Sequence, residues 1–314
     1  MLFAGQTALV TASGAGIGRA IARKLAREGA AVVVSDIADD AAAETVRLIE
    51  QDGGKAAFLH ADVADADQVS RLVPFAIETF GGLDLAVNNA GVGAMPAPVQ
   101  DVERAAWDRA LGIPLTGTFL CLQEQLRHFR GQGHGAVVNI ASLAGISATP
   151  RLSPYGASKH GVVSLTVSAA LETADQGIRV NAVAPGAIET GALESLPPED
   201  KEGYVAQIPM RRLGRPEDIA EATAFLAQSV CLDGAGAPIP GRLPFEPGCD
   251  RRRPARIEEV LPWRKTDFPD SGAALARPQG YMASDAVVGR LLGRPAIIQT
   301  FDIGGHPRAS ARDH

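Results

Sequence analysis

Apolar residues along this chain fall into short unbroken runs, separated by longer stretches in which they recur at helical spacing. Thr7–Val10 and Ala31–Ser35 are runs of Ala, Leu and Val, and their length and content predict buried strands. Between them Ile17, Ile21 and Leu25 share one face, which predicts a helix over Ile17–Glu28. The same alternation predicts a helix over Asp39–Gln51, a strand over Ala56–His60, a helix over Ala66–Phe80 and a strand over Leu83–Val87. A long helix containing Trp107–Phe129 follows, with Trp107 and Phe119 expected in the core. Next come a strand at Ala136–Ile140, a helix from Tyr155 to about Ala174 and a strand at Ile178–Val183. Pro216 falls in the first turn of a last helix that ends near Gln228, where a missing N–H costs nothing. Strands apolar throughout and alternating with helices imply a parallel sheet covered on both faces. The expected fold is a single-domain, Rossmann-like, doubly wound α/β structure.

The pattern stops after Gln228. Nine of the 21 prolines lie in residues 229–297, and Asp250–Arg256 is mostly Arg and Pro. This irregular Pro/Arg-rich insert sits inside the single domain, and order is expected to resume at Ile297, in the run to Phe301 and the turn Gly304-Gly305. A lid, an assembly element, a disordered segment and a shifted reading frame all fit such a stretch. The expectation for it is partial disorder and high protease sensitivity.

Composition narrows the function more than the fold. A formal charge of -6 and the lack of a basic stripe before residue 229 make nucleic acid an unexpected partner. Cys121, Cys231 and Cys249 are too few and too scattered for a disulfide framework or a metal site. The six histidines show no ligand spacing, so no metal is expected. The start Met1–Val10 carries no Lys or Arg and reads as a first strand rather than a signal peptide, and no apolar run reaches membrane-spanning length. These features point to a cytoplasmic protein without a membrane partner.

Three motifs carry chemistry. Thr11-Ala-Ser-Gly-Ala-Gly-Ile-Gly18 joins the first strand to the first helix, where glycines let the backbone turn and approach a pyrophosphate at a helix N-terminus. Asp36 closes the second strand, where a carboxylate accepts both ribose hydroxyls of an adenosine and repels a 2′-phosphate; that selects NAD over NADP. Tyr155 and Lys159 stand four apart on one helix face, so the ammonium favours the phenolate and prepares it for proton transfer. Ser142 ends a strand thirteen residues before Tyr155, where its hydroxyl can bond a substrate oxygen.

With these motifs the chain resembles the short-chain dehydrogenase/reductase family, over roughly residues 4–228 and again 297–305. Asp62-Val63, Asn88-Asn89-Ala90-Gly91, Asn139-Ile-Ala-Ser142, Asn181-Ala-Val-Ala-Pro185-Gly186, Thr190 and Arg212-Leu-Gly-Arg-Pro-Glu-Asp218 extend the match. The resemblance implies Ser142, Tyr155 and Lys159 as the catalytic group. It implies that Ser13, Gly16, Ile17 and Gly18 cradle the cofactor, that Asp62 holds the adenine amino group and that Val63 flanks it. It places Asn89, Ala90 and Gly91 along the cofactor, and Pro185, Gly186, Ile188 and Thr190 at the nicotinamide, whose ribose Lys159 also bonds. The implied reaction is hydride transfer between NAD(H) and a secondary alcohol or ketone, a small-molecule substrate. The walls of its pocket would be Val92–Pro98, Leu143–Pro154 and Gly191–Met210. A homodimer or homotetramer is implied, pairing through the long helices.

Three positions depart from the family. Ala12 replaces the first glycine of the loop, with Gly14 expected to restore backbone freedom. Pro114 stands where the family has the Asn that is its fourth catalytic residue, and a kink is expected there. The insert precedes the last strand. Two further readings therefore stand beside the first: an NADPH-dependent carbonyl (3-oxoacyl-type) reductase, which Asp36 opposes, and a catalytically weakened cofactor-binding protein.

Overall fold

Strands form here because neighbouring positions both find apolar cover, one on each side. The structure is a computed structural model that describes residues 1–191, 198–206, 208, 210–229 and 296–297. β1 (Thr7–Thr11) is buried at every position. Its Ala8 and Val10 enter one core layer and Leu9 the other. β2 (Ala31–Asp36), β4 (Leu85–Asn88) and β5 (Gly135–Ile140) repeat the alternation. Val34, Val87 and Val138 face the first layer, and Val33, Ala86 and Val137 face the second. With β3 (Lys55–His60) and β6 (Ile178–Pro185) they form six parallel strands in the order β3-β2-β1-β4-β5-β6.

Helices cover both faces. α1 (Gly16–Arg27), α2 (Asp39–Gln51) and α9 (Pro216–Gln228) bring Ile21, Leu25, Ile49, Ile219 and Leu226 to one layer. α4 (Leu72–Phe80), α6 (Gly117–Gln132) and α7 (Ser153–Thr173) bring Leu72, Leu122, Phe129 and Ala170 to the other. Phe129 is fully buried, and truncating such a ring to Ala costs about 3–5 kcal/mol.

The structure departs from the sequence expectation in four places. The helix expected over Ala66–Phe80 is two, α3 (Ala66–Val69) and α4. Pro74 has no N–H for the carbonyl of Ser70 and its ring crowds that oxygen, so the helix restarts. The long helix around Trp107–Phe129 is also two, α5 (Arg104–Leu111) and α6, joined by a π-turn over Gly112–Thr116. Trp107 and Phe119 are not core: they are 38% and 45% exposed. Thr118, Cys121, Leu122, Gln125 and Phe129 take the inward face of α6, which turns Phe119 outward. Finally, α8 (Pro198–Ala206) lies in a segment read only as pocket wall.

The chain returns to the sheet at β7 (Ala296–Ile297), which pairs antiparallel with Ala184 and Pro185. The rest of the insert, Phe301 and Gly304-Gly305 lie outside the described residues. No helix of the described residues is long and apolar enough to cross a membrane.

The topology decides where chemistry can sit. All six parallel strands end on the same edge, and β1 and β4 are neighbours whose onward connections run in opposite directions. That divergence opens a crevice outside the carboxyl ends of the strands.

Candidate active site

Every candidate residue of the sequence falls at or beyond the carboxyl end of a strand on this edge. The glycine loop leaves β1 and enters α1. Ala15 is the N-cap of α1 but makes no side-chain capping bond, and the first turn holds no acid. The loop therefore presents helix N–H groups and the positive end of a dipole to an anion. Gly18 is required by close approach: a Cβ there would stand 2.2 Å from the Ala12 carbonyl oxygen and 2.6 Å from Asn89 Nδ2. Ile17 packs half-buried against the first core layer, and Gly16 lies against Thr190, whose Cγ2 would be 3.4 Å from a Cβ at that glycine.

Ala12 takes a φ of +49°, in the left-handed region. The expectation that Gly14 would supply the freedom is corrected, because the turn is made at Ala12 itself. An L-residue pays about 1–2 kcal/mol for that conformation. Ser13 is also placed differently from a ligand contact. Its hydroxyl donates to the Val10 carbonyl at 2.7 Å and its N–H to Ser35, while the Ser35 N–H donates back to Ser13 Oγ. It braces β1 against β2, fully buried.

Asp36 is held at the mouth of the loop. Its Oδ2 accepts the Gly14 N–H at 2.8 Å and its Oδ1 the Ala38 N–H at 3.0 Å. Sequence reasoning missed a nearby cation, Arg19, one turn into α1. Its guanidinium donates to Thr45 Oγ1, to the Gly14 carbonyl and to the Ala41 carbonyl. Asp62 follows β3 half-buried, its Oδ1 accepting the Ala64 N–H and its own N–H donating to Gln68. Val63 is buried against α6.

The divergence between β1 and β4 is locked by reciprocal bonds. Thr11 Oγ1 accepts the N–H groups of Asn89 and Ala90, and Asn89 Nδ2 donates to the carbonyls of Thr11 and Ala12. Beneath it lies a buried polar chain that periodicity could not reveal. Asn88 bonds Gln125 and Asn139, and Asn139 bonds Thr166. These amides satisfy one another, so their burial carries no unpaired-group penalty.

Ser142, Tyr155 and Lys159 converge from β5 and α7. Ser142 Oγ accepts the Ala144 N–H at 3.1 Å, which leaves the hydroxyl hydrogen to donate to a substrate oxygen. Its short turn, Leu143–Gly145, packs on α7 so closely that a Cβ at Gly145 would lie 2.6 Å from the Lys159 carbonyl oxygen. Pro154, the second residue of α7, suits its first turn, where half-buried Tyr155 follows. Lys159 is 4% exposed, its Nζ donating to the Ile140 carbonyl at 2.7 Å and standing 5.9 Å from the Tyr155 ring centroid. Burial lowers its pKa from 10.5 to about 8. Gly91 fills the gap beside it: a Cβ there would be 3.4 Å from Nζ and 3.8 Å from Pro114 Cβ.

On the far side, Pro185 is buried at the end of β6, exposed Gly186 follows, and Ile188 is pinned by a bridge to Gly214. Thr190 Oγ1 reaches the Ile188 carbonyl at 3.5 Å. A cavity of about 810 Å³ opens behind this segment, lined by Glu189, Lys201, Arg211, Arg212 and Asp218; the catalytic candidates are not part of its lining. Four of its charged groups pair, Lys201 with Glu189 and Arg212 with Asp218.

Known proteins share both this architecture and this sequence. A family model described as Enoyl-(Acyl carrier protein) reductase matches residues 11–231. The chain is 43% identical over 235 residues to a cis-4-hydroxycyclohexanecarboxylate dehydrogenase of Sinomonas cyclohexanicum, covering 75% of this chain and 94% of the relative. It is 41% identical over 225 residues to a cyclohexanol dehydrogenase of Acinetobacter sp. (strain SE19), covering 71% and 88%. Among solved structures, a 7α-hydroxysteroid dehydrogenase complexed with NADH and 7-oxo glycochenodeoxycholic acid superposes with a TM-score of 0.68. That structure is 38% identical, over 72% of this chain and 88% of the other. The chain belongs to the short-chain dehydrogenase/reductase family. It is an NAD(P)-dependent oxidoreductase acting on CH–OH groups.

Proposed function

We propose that the protein transfers hydride between NAD and a cyclic secondary alcohol, or its ketone, with Tyr155 as acid–base. The observation that carries the reading is the meeting of Tyr155, Lys159 and the Ser142 turn at the crevice beside β4. The residues fit a dinucleotide: a glycine cradle on a helix N-terminus that no side chain caps, and a carboxylate anchored at the end of β2. NAD, when bound, supplies the acceptor for the hydride.

The chain's own residues do the rest. Ser142 donates its hydroxyl hydrogen to the substrate oxygen. Tyr155 takes the carbinol proton in oxidation and returns one in reduction. Lys159, held by Ile140, keeps a positive charge next to the phenol and bonds the nicotinamide ribose. Asp36 receives the adenosine ribose hydroxyls, Asp62 the adenine amino group, and Val63 flanks the base. Asn89, Ala90 and Gly91 line the cofactor, and Pro185, Gly186, Ile188 and Thr190 meet the nicotinamide. The Asp36 carboxylate, anchored at the mouth of the loop, would face a 2′-phosphate and repel it, which supports NAD over NADP. Two relatives are named for cyclohexane-ring alcohols, which suit the largely apolar walls at Val92–Pro98 and Leu143–Pro154.

The test is a panel of ring alcohols and ketones with NAD(H) and NADP(H), run on wild type and Tyr155→Phe. Turnover is expected to favour NAD(H), and the variant to lose about 10²–10⁴-fold while binding NADH unchanged. Activity of the variant within a few-fold of wild type refutes the role of Tyr155. Equal use of NADP(H) refutes that of Asp36.

A further inference from the structure

We propose that Arg151 is a specificity-determining residue, receiving a carboxylate that the substrate carries away from its reacting carbon. The inference deepens the reading of the crevice as a carbinol-oxidising site and rests on it.

The starting observation is a side chain in a place that favours glycine. Thr149, Pro150, Arg151 and Leu152 form a tight turn, closed by the Leu152 N–H donating to the Thr149 carbonyl at 3.1 Å. Proline holds the second position, and Arg151, at the third, has a φ of +67°. A turn with proline second and a positive φ third is of type II, whose third position is ordinarily glycine or asparagine. Arginine there is strained, and strain of this kind persists where function uses it.

The described part of the fold makes no use of the guanidinium. Arg151 is exposed, and among the described residues its side chain makes no hydrogen bond or ion pair. Only its backbone is engaged: the Arg151 carbonyl accepts the Ala97 N–H at 2.8 Å. That bond sews together the two segments expected to wall the substrate, Val92–Pro98 and Leu143–Pro154. Arg151 is therefore at their seam, four residues ahead of Tyr155.

Its surroundings define what it can bind. Arg151 is the only charged side chain in those two segments, where Val92, Ala94, Met95, Leu143 and Ile146 stand beside the neutral polar residues Ser147, Thr149 and Ser153. Met95 and Leu143 are open apolar surface, 86% and 41% exposed. The first turn of α7, which begins two residues later, holds no acid. An apolar ring lies against such walls, and a carboxylate on it meets the one cation at the seam, where a bidentate charge-assisted pair forms. The ligand class is a carboxylate-bearing alicyclic alcohol.

The experiment compares wild type, Arg151→Gly and Arg151→Lys on cis-4-hydroxycyclohexanecarboxylate and on cyclohexanol, with NAD. Wild type is expected to favour the acid. Arg151→Gly is expected to melt at a higher temperature, because glycine suits the turn, so a lost activity is not lost folding. Its kcat/KM for the acid, relative to that for cyclohexanol, should fall about tenfold or more, mainly through KM for the acid. Arg151→Lys should recover part of the loss. An unchanged ratio of the two substrates in Arg151→Gly overturns the proposal. If wild type oxidises neither alcohol, the proposed reaction is what fails. Arg151 is then judged by calorimetry with cyclohexanecarboxylate in the presence of NADH. Tighter binding to wild type than to Arg151→Gly upholds its role, and equal or absent binding overturns it.

Discussion

Lys159 holds its charge in a place that opposes charge, and this has a thermodynamic signature. Its pKa is about 8 in the fold against 10.5 for an ordinary lysine, because burial strips its water. Between those values the unfolded chain binds a proton that the folded chain has released, so stability rises with pH. Below about pH 8 both states are protonated and the penalty is constant. The difference in unfolding free energy between wild type and Lys159→Met should thus be flat below that pH. Above it, the difference should move in favour of wild type, approaching about 1.4 kcal/mol per pH unit, until the ordinary lysine value is reached. Urea melts over about pH 6 to 10 read this directly. A flat difference throughout would show the ammonium to be hydrated. Ala12 gives a second residue-scale effect. Ala12→Gly relieves the left-handed strain but adds unfolded-state entropy, for a net gain of about 0.5–1 kcal/mol in a denaturant melt. A loss of stability would mean that the φ of Ala12 is not strained. The placement of Asp36, Tyr155 and Lys159 around one crevice was legible because their motifs are local. Arg19, the sewn seam at Arg151 and the brace at Ser13 were not, since each depends on partners brought close by the fold.

At the scale of elements, the π-turn at Gly112–Thr116 is the departure with the clearest consequence. The Gly117 N–H reaches the Gly112 carbonyl, and Thr118 Oγ1 donates to the Pro114 carbonyl at 2.6 Å, so the turn is fastened at its exit despite the proline. The distortion expected at Pro114 is present, while the side-chain amide of the family is not. Pro114 and Lys159 share the gap beside Gly91, so an amide at this position would enter it. Pro114→Asn is expected to raise turnover by about two- to tenfold, most at low pH, where phenolate is scarce. No change across pH, or a loss with the fold intact, would show that proton delivery bypasses this turn. Strands were legible to within two residues, because burial on both faces leaves a continuous apolar signature. Helix breaks were less so: Pro74 was visible in the sequence, but a proline in a first turn and a proline in a helix interior look alike without the boundary. Buried Arg179 was not legible at all, although its guanidinium donates to the Leu226 and Ala227 carbonyls and so caps α9.

Among the described residues, one helical layer of the molecule leaves apolar side chains open on three of its helices. Trp107 on α5, Phe119 on α6 and Leu171 on α7 are each more than a third exposed, at 38%, 45% and 53%. These are the helices through which the family resemblance implies subunit pairing, and we propose a homo-oligomer joined there. Phe119→Glu, which would bury a charge at that contact, is expected to shift the protein to a smaller species in sedimentation; an unchanged species would place the contact elsewhere. The doubly wound parallel sheet followed from the alternation of apolar strands with helices. Which helical face stays open did not, because Trp107 and Phe119 read as core until the inward face of α6 was known to be filled. The concentration of chemistry on one edge also leaves the opposite edge available. The bend between α4 and β4 lies there, and a Cβ at Gly81 or Gly82 would meet nothing within 4 Å. A peptide tag inserted after Gly82 would fix the enzyme to a bead or an electrode with its crevice turned to the solution, so that immobilisation and substrate access need not compete.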